Sequence, residues 1–478
     1  MPSHASDVPT PTSRPLDESP SDTLIVGAGA TGLATAWALA KRGQSVTVFE
    51  SQAQVGGNLH TERDGEWQIE HGPNTVIMKP PLYALLDELD LLDEAQPANA
   101  IANKRYVVMD GEPVALPMKP IDALTSPLIG WRGWARLVRE PFVPRSNAPE
   151  ETLAVFVERR LGPRILARMI DPFVSGVYAG DPGKLSVQAA MPRLAAMEQE
   201  HRSLIIGGIK RLRQARRYPA GVPTEWRGKL VSFPRGLQYL VDRLAERIAA
   251  QPAAVIHTHC SVHIVRHEEE HWVVEDSQGR EWRARSLVLA VPAPVAARLL
   301  RPLDEALAEP LASIVYPPVN AIALGFREQD IEHPLDGFGV LIPRGERRRT
   351  LGALFSSTLF PSRAPAGHKL LNVFIGGRQD PAAAADGDDD TQVARVLDEL
   401  RDLLGIRGEP VWQKVTRWPQ AIPQYEIGHL ARIEALDAAL QGHPGLYLAG
   451  NWRGGIAVGD CLENGRLLGE RLGGGRRD

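Results

Sequence analysis

Four short runs dense in apolar and β-branched residues stand out from the rest of the chain: 23–26, 45–49, 286–291 and 445–450. Runs of this length, bounded by glycine, proline or an acidic residue, predict strands buried on both faces, as in a parallel sheet. Between them the apolar period is mostly helical. Small residues fill 33–42 (Ala34, Ala36, Ala38, Ala40), a helix that Gly43 stops. Tyr83–Leu92, Thr152–Ile170 and Gly236–Ala250 place apolar residues at helical spacing, so each predicts one helix. Asp110-Gly111 between Arg105–Met109 and Val114–Leu116 predicts a hairpin. The chain from 254 to 264 predicts a strand pair. Trp272–Glu275 and Trp282–Arg285 predict a small meander turning at Gly279, followed by a separate buried strand over 286–291. A helix is predicted over 455–471.

The first strand runs directly into Gly27-Ala-Gly29-Ala30-Thr31-Gly32, and the second ends at Glu50. Each residue of this unit has a physical reason. Gly27 makes the tight turn, and Gly29 lets the backbone approach a pyrophosphate at a helix N-terminus, where free N–H groups favour anions. Gly32 and the alanines let the helix pack closely on the sheet. Glu50 stands where a carboxylate accepts from ribose hydroxyls. The register of strand, glycines, helix, strand and acid points to dinucleotide binding. A second glycine pair, Gly56-Gly57, follows with Asn58 and then Glu70-His71-Gly72-Pro73-Asn74. Such a pair just after the ribose acid resembles the pattern of the flavin families related to glutathione reductase and amine oxidases, and the resemblance implies a flavin nucleotide in place of a nicotinamide one.

Composition narrows the picture further. At 478 residues the chain is long enough for two or three domains, and its net charge of −4 gives no global field for nucleic acid. The two cysteines, Cys260 and Cys461, offer neither a disulfide framework nor metal-ligand spacing, so no metal is expected and a cytoplasmic location is. Residues 1–21 lack a basic start and an apolar core and are expected to be a disordered tail, not a signal peptide. With no apolar run of about 18 residues, no transmembrane helix is expected, which leaves peripheral contact with a cytoplasmic membrane face open. Lys210–Arg217 carries five positive charges, read as a solvated face or as an attraction for anionic lipid or substrate carboxylates.

The middle of the chain carries more specific motifs. Pro172–Leu194 contains Gly176-Val-Tyr-Ala-Gly-Asp-Pro-Gly, read as a glycine-rich turn followed by a helix. Others are Phe233-Pro-Arg-Gly-Leu237, Tyr316-Pro-Pro-Val319, Gly337–Pro343, Leu351–Pro361, Trp418–Tyr425 and Gly450-Asn451-Trp452. Together with the glycine fingerprint, these resemble the protoporphyrinogen oxidases, and most closely the plant and cyanobacterial branch of that family within the flavin amine oxidase superfamily. The likeness runs from Asp22 to the terminal helix. Amine oxidases share its ends but not its middle. One departure is Glu200-His-Arg202-Ser203, where relatives often carry Gly-Ser; it puts the local turn in question.

The resemblance implies an α/β fold with α+β parts. A Rossmann-like FAD-binding domain would be assembled from 22–80, 230–300 and 412–478. A mainly helical domain would span 81–100 and 118–229, and a mixed-sheet substrate domain 101–117 and 301–411. It implies non-covalent FAD, because Cys461 lies outside the context in which monoamine oxidases attach flavin. The implied FAD contacts are Gly27, Gly29, Ala30, Thr31, Gly32, Glu50, Ser51, Gly57, Asn58, Gly72, Pro73, Asn74, Val262, Trp418, Gly450, Asn451, Ile456, Ala457 and Val458. For substrate, Arg105 matches an arginine that pairs with a propionate through two parallel hydrogen bonds. Phe338, Leu341 and Phe360 match apolar positions that clamp pyrrole rings, and Gly176 a backbone position facing the macrocycle.

The implied reaction is six-electron oxidation of protoporphyrinogen IX in three cycles, each moving a hydride from a bridge carbon to the flavin and releasing an N–H proton. O₂ would be the acceptor, giving H₂O₂. No catalytic base is named. The resemblance also leaves room for a homodimer and for hand-off to a ferrochelatase. Three alternatives stay open: coproporphyrinogen III oxidation, an amine oxidase or carotenoid desaturase activity, and a redox-inert porphyrin carrier.

Overall fold

In the computed structural model, residues 21–118, 120–215 and 222–474 are described. The expected tail lies outside them up to residue 20, as do Arg216 and Arg217 of the basic cluster.

The chain folds around two seven-stranded sheets. In the first, Ser21–Val26 is central. It pairs in parallel with Val46–Phe49 on one side and with Glu281–Leu289 on the other. Ala254–His257 extends the sheet beyond Val46–Phe49, and Leu446–Leu448 pairs in parallel with the end of Glu281–Leu289. Buried apolar residues on both faces explain why these strands read as unbroken apolar runs. The helices Ala30–Ala40 and Val458–Gly474 pack against each other on one face of this sheet. Their contact is close because Gly465 and Gly469 lie against Thr31, Ala34, Thr35 and Ala38, where a methyl at Gly469 would stand 2.6 Å from the Ala38 methyl.

The second sheet runs in the order Trp412–Trp418, Val319–Arg327, His368–Gly376, Thr350–Phe355, Gly337–Leu341, Lys104–Met109, Glu112–Ala115. All its pairings are antiparallel except that of Gly337–Leu341 with Lys104–Met109. One face of the sheet buries Tyr106, Ile322, Leu324, Val340, Phe355 and Val373 against the helix Asp389–Leu404. Its other face looks toward the dinucleotide end of the molecule.

Several sequence expectations change. The helix expected over 152–170 is broken: Leu153–Leu161 ends at Gly162 (φ 90°), Pro163 restarts the chain, and a wide turn at 166–170 leads into Asp171–Tyr178. Gly162-Pro163 is the punctuation that apolar periodicity overrode. The strands at 254–257 and 262–268 do not pair with each other; they lie at opposite edges of the first sheet. The strands expected at 282–285 and 286–291 are one strand, Glu281–Leu289, whose first half pairs antiparallel with His271–Asp276. Strand Trp412–Trp418 joins the second sheet, and Leu307 and Leu311 of the helix Glu305–Ala312 join the core beside the first. The domain boundaries expected at 301 and 412 therefore do not coincide with changes of sheet or core. The turn at 200–203 is present, with Arg202 itself in the left-handed region (φ 59°), and its carbonyl accepts from the buried Arg160.

Candidate active site

At the first strand's C-terminal end, Gly27 adopts φ 101° and a methyl there would stand 2.6 Å from the Ala290 carbonyl oxygen. Gly32 lies directly against the Gly27 carbonyl, with no room for a side chain. Gly29 differs. Its backbone is extended (φ −73°), and a Cβ on it would meet no protein atom within 4 Å. The protein leaves open space at the N-terminus of Ala30–Ala40, where unpaired N–H groups favour an anion. The Gly56-Gly57 pair closes onto this turn. Gly29 and Gly56 form a parallel bridge, and a Cβ on Gly57 would lie 3.4 Å from the Gly29 Cα. The buried Glu50 carboxylate accepts from the Ala28 and Gln52 backbone N–H groups (3.0 and 2.9 Å) and from the Ser51 hydroxyl. These residues fit the pyrophosphate and ribose of FAD.

A backbone ridge continues outward from the turn. Gly72 packs against the Asn58 carbonyl so tightly that no side chain fits, which brings Gly57-Asn58 and Gly72-Pro73-Asn74 together. The Trp418 indole donates to the His71 carbonyl (2.9 Å), and the His71 ring pairs with Glu62 and Thr416. Val262 differs from the ridge residues: its side chain is buried in the core, so only its backbone is offered to a cofactor. At the far end, Gly450 (φ 152°) and Asn451 precede the terminal helix. The Tyr425 hydroxyl donates to the Asn451 carbonyl (2.7 Å) and accepts from the Gly455 N–H (3.0 Å), tying the turn before Ile456, Ala457 and Val458. The Cys461 thiol is buried behind this turn, and burial pushes it up to about 11, which suits an unreactive thiol.

The face of the second sheet opposite the helix Asp389–Leu404 gathers the candidate substrate residues, beside a part that Trp67 and Ile69 cover through Ala323 and Leu370. Alternation along Lys104–Met109 puts Tyr106 and Val108 in the core and Arg105 on the opposite face. A register shift between Gly337 and Val340 lets Phe338 and Leu341, three positions apart, serve the same side. The Arg105 guanidinium lies 5.4 Å from the Phe338 ring centre. Two half-exposed residues in otherwise buried strands, Leu354 and Phe374, stand on this face near Leu341, and the sequence reading missed both. Their signal was the register: Phe374 pairs with Gly352, and Leu341 fills the space that a side chain there would take, its Cδ2 3.3 Å from the place of a Cβ.

Two expected substrate residues are placed differently. Phe360 is 3 % exposed and packs with Ala102 and Leu359 behind Phe338, so it supports the wall and is not on its surface. Gly176 is not in a turn; it lies inside the helix Asp171–Tyr178, with Cδ2 of Leu341 filling the place of its side chain. Phe173 and Val177 flank it as exposed apolar residues at helical spacing, a ridge beside Leu341 that the reading of this segment as a turn hid. Asp171 anchors this helix, accepting from the Arg344 N–H (3.1 Å) and the Gln379 amide (3.0 Å). Ser186 donates to the Tyr425 carbonyl (2.8 Å), which links Pro172–Leu194 to the same Tyr425 that holds the 450–455 turn.

Burial lowers His71 and raises Tyr178, so each stays neutral near pH 7. Glu70 is raised by burial, against the opposing pull of Arg363.

Residues 30–470 match the family model described as flavin containing amine oxidoreductase. The chain is 35 % identical over 465 residues to the chloroplastic protoporphyrinogen oxidase of Oryza sativa subsp. japonica, covering 92 % of this chain and 86 % of that one. It is 28 % identical to the coproporphyrinogen III oxidase of Bacillus subtilis, covering 93 % and 96 %. Among solved structures, one from Exiguobacterium, described only provisionally as a protoporphyrinogen oxidase, superposes with a TM-score of 0.79 at 23 % identity, covering 95 % of this chain and 99 % of that one.

Proposed function

Because this chain belongs to the flavin-containing amine oxidoreductase family, we propose that this FAD-dependent oxidoreductase converts protoporphyrinogen IX to protoporphyrin IX. The observation that carries the reading is the wall formed by Arg105, Phe338, Leu341, Leu354 and Phe374. It offers an apolar surface with one cation at its end. A flat macrocycle with carboxylates along one edge suits such a surface. Resemblance to curated protoporphyrinogen oxidases over 92 % of the chain supports the same substrate class.

Bound FAD would take up a hydride from a bridge carbon and pass the electrons to O₂, giving H₂O₂ in each of three cycles. The residues of this chain do the rest. Arg105 holds a propionate and sets which edge of the ring enters. Phe338, Leu341, Leu354 and Phe374 exclude water from one face of the ring. The helix ridge Phe173, Gly176 and Val177 bounds the mouth beside Leu341. No side chain is assigned as a base.

Coproporphyrinogen III, with four carboxylates instead of two, is the second reading, favoured by the similarity to the Bacillus subtilis enzyme. Of the inner-face positions named, Arg105 alone is cationic, which suits two neighbouring propionates better than four dispersed ones. Anaerobic addition of each porphyrinogen to the yellow protein decides. Faster flavin bleaching by protoporphyrinogen IX is expected; bleaching only by coproporphyrinogen III would reassign the substrate. Absence of bleaching by either would leave a carrier.

No helix among the described residues is long and apolar enough to cross a membrane. The helix Gly130–Arg139 and the turn after it expose Trp131, Val138 and Phe142 (75, 69 and 86 %) beside Arg132 and Arg139. The proposal includes contact of this face with an anionic lipid surface, where each cation contributes about 1 kcal/mol. Flotation with vesicles containing phosphatidylglycerol, but not with pure phosphatidylcholine, is expected. Loss of flotation in Trp131→Ser/Phe142→Ser would locate the contact; its retention would remove this face.

A further inference from the structure

Arg363 is the largest charged group buried beside the candidate site, and no role has been given to it. It follows the short helix Ser356–Leu359 and is 1 % exposed. Its planar fork reaches three residues in two distant segments of the chain. Nη1 donates to the Asn74 side-chain oxygen (3.1 Å). Nη2 donates to the Asn74 carbonyl (2.8 Å), to Glu70 (3.2 Å) and to the Ser232 hydroxyl (3.3 Å). Glu70 is itself held by the Leu237 N–H and the Thr61 hydroxyl (2.9 and 2.7 Å). The same guanidinium lies over the Phe360 ring, 4.6 Å from its centre. Phe338, the residue beside Arg105, packs against the cluster that Phe360 forms with Ala102 and Leu359.

We propose that Arg363 is a positioning residue that sets the distance between the flavin-side ridge, through Asn74, and the substrate wall, through Phe360 and Phe338. The inference deepens the proposed function and rests on it. Two observations favour spacing over mere stability. A buried ion pair contributes little net stability, because desolvation offsets most of its Coulomb attraction. Both bonds to Asn74 and the cation–π contact with Phe360 come from one rigid guanidinium, which fixes their relative placement. A lysine would keep the charge but supply neither the fork nor the flat face. The ridge is irregular backbone between two short strands while the wall belongs to the second sheet, and hydride transfer depends steeply on the gap between donor and acceptor. A displacement of about 1 Å can lower a rate about 100-fold.

The test uses Arg363→Lys as purified, FAD-loaded protein. Before any substrate is added, the visible spectrum and midpoint potential of the bound flavin are compared with wild type. Both are expected to shift while FAD content stays stoichiometric. With protoporphyrinogen IX under anaerobic conditions, the limiting rate of flavin reduction is expected to fall about 10- to 100-fold. The KM should stay within about twofold, the pattern of a lost transition-state geometry. A folded, FAD-loaded variant with unchanged spectrum and rate would overturn the proposal, even if its thermal midpoint fell. If Arg363→Lys does not fold, Phe360→Leu tests the same link with the cation and all its hydrogen bonds kept. A lower limiting rate at constant KM is expected; a raised KM at constant rate would mean that Phe360 touches substrate directly and would overturn it. Should wild-type flavin resist every porphyrinogen, the substrate reading fails, while the spectrum and potential of Arg363→Lys still decide this inference.

Discussion

The guanidinium of Arg105 lies 5.4 Å from the ring centre of Phe338, although the two residues belong to different strands more than 200 positions apart. Only the parallel pairing of Lys104–Met109 with Gly337–Leu341, and the register shift within it, brings them together. The stacked ring holds the cation at one end of the apolar wall, leaving its N–H edge for a carboxylate.

Arg105→Ala is therefore expected to raise KM for a porphyrinogen about tenfold with kcat within about threefold, because a remote carboxylate contact is felt equally in ground and transition states. Arg105→Lys should recover only part of the loss, since lysine neither stacks nor forks. Steady-state kinetics with porphyrinogen check both, and an unchanged KM would remove Arg105 from the site.

Gly29 and Gly32 should separate cofactor binding from folding. A methyl at Gly29 enters space that holds no protein atom within 4 Å, whereas one at Gly32 runs into the Gly27 carbonyl. Gly29→Ala is expected to leave the thermal midpoint of FAD-free protein unchanged and to weaken FAD at least about tenfold, near 1.4 kcal/mol. Gly32→Ala should destabilise the fold itself by about 3 kcal/mol. FAD titration and thermal melts of the apoproteins read the two effects separately.

Gly176→Ala would push against Cδ2 of Leu341, the mobile tip of a side chain. The expected cost in stability is small, about 1 kcal/mol or less, because a side-chain end can move where backbone cannot. Displacement of Leu341 should raise KM severalfold. Leu341→Ala in the Gly176→Ala background should reverse part of that rise, since the pair is in contact and their effects do not add. Additive losses in the double-mutant cycle would show that Gly176 acts by another route.

His429 stacks on Tyr425 at 4.2 Å and is buried, and burial, reinforced by the Arg432 charge, lowers its imidazole to about 4. An unfolded histidine titrates near 6.5, so the unfolded chain binds the proton first as pH falls. Stability from this group is complete above about pH 6.5 and is lost toward pH 4, by up to about 1.4 kcal/mol per pH unit. Urea unfolding at pH 7 and pH 5 should show a smaller acid loss in His429→Gln than in wild type. Equal losses would assign the acid sensitivity elsewhere.

The dinucleotide end was legible because its determinants are local. Gly27, Gly29, Gly32 and Glu50 lie within one strand–helix–strand unit, and each answers to backbone geometry that a short sequence imposes. The proposed substrate wall was legible only in part. Arg105, Phe338 and Leu341 entered through resemblance, and the structure brings them onto one face. Phe360 was misplaced because a run ending in Phe-Pro does not reveal which side of a strand end it faces. Gly176 was taken for a turn because Tyr-Ala-Gly-Asp-Pro-Gly follows it, yet the helix continues to Tyr178 before Ala179 turns left-handed (φ 47°).

Sequence alone determined the Rossmann-like unit, the flavin glycine pair and the hairpin at Asp110-Gly111, since these depend on neighbours within a few tens of residues, and the family, through motifs spread along the whole chain. Tertiary structure alone decided that Glu281–Leu289 is one strand shared by two pairings and that Leu354 and Phe374 stand beside Leu341. It also decided that Arg363 joins Asn74 to Phe360. Those relations are set by strand register and by burial between distant segments. A one-residue change of register reverses which face a side chain serves, and no local pattern encodes the partner strand.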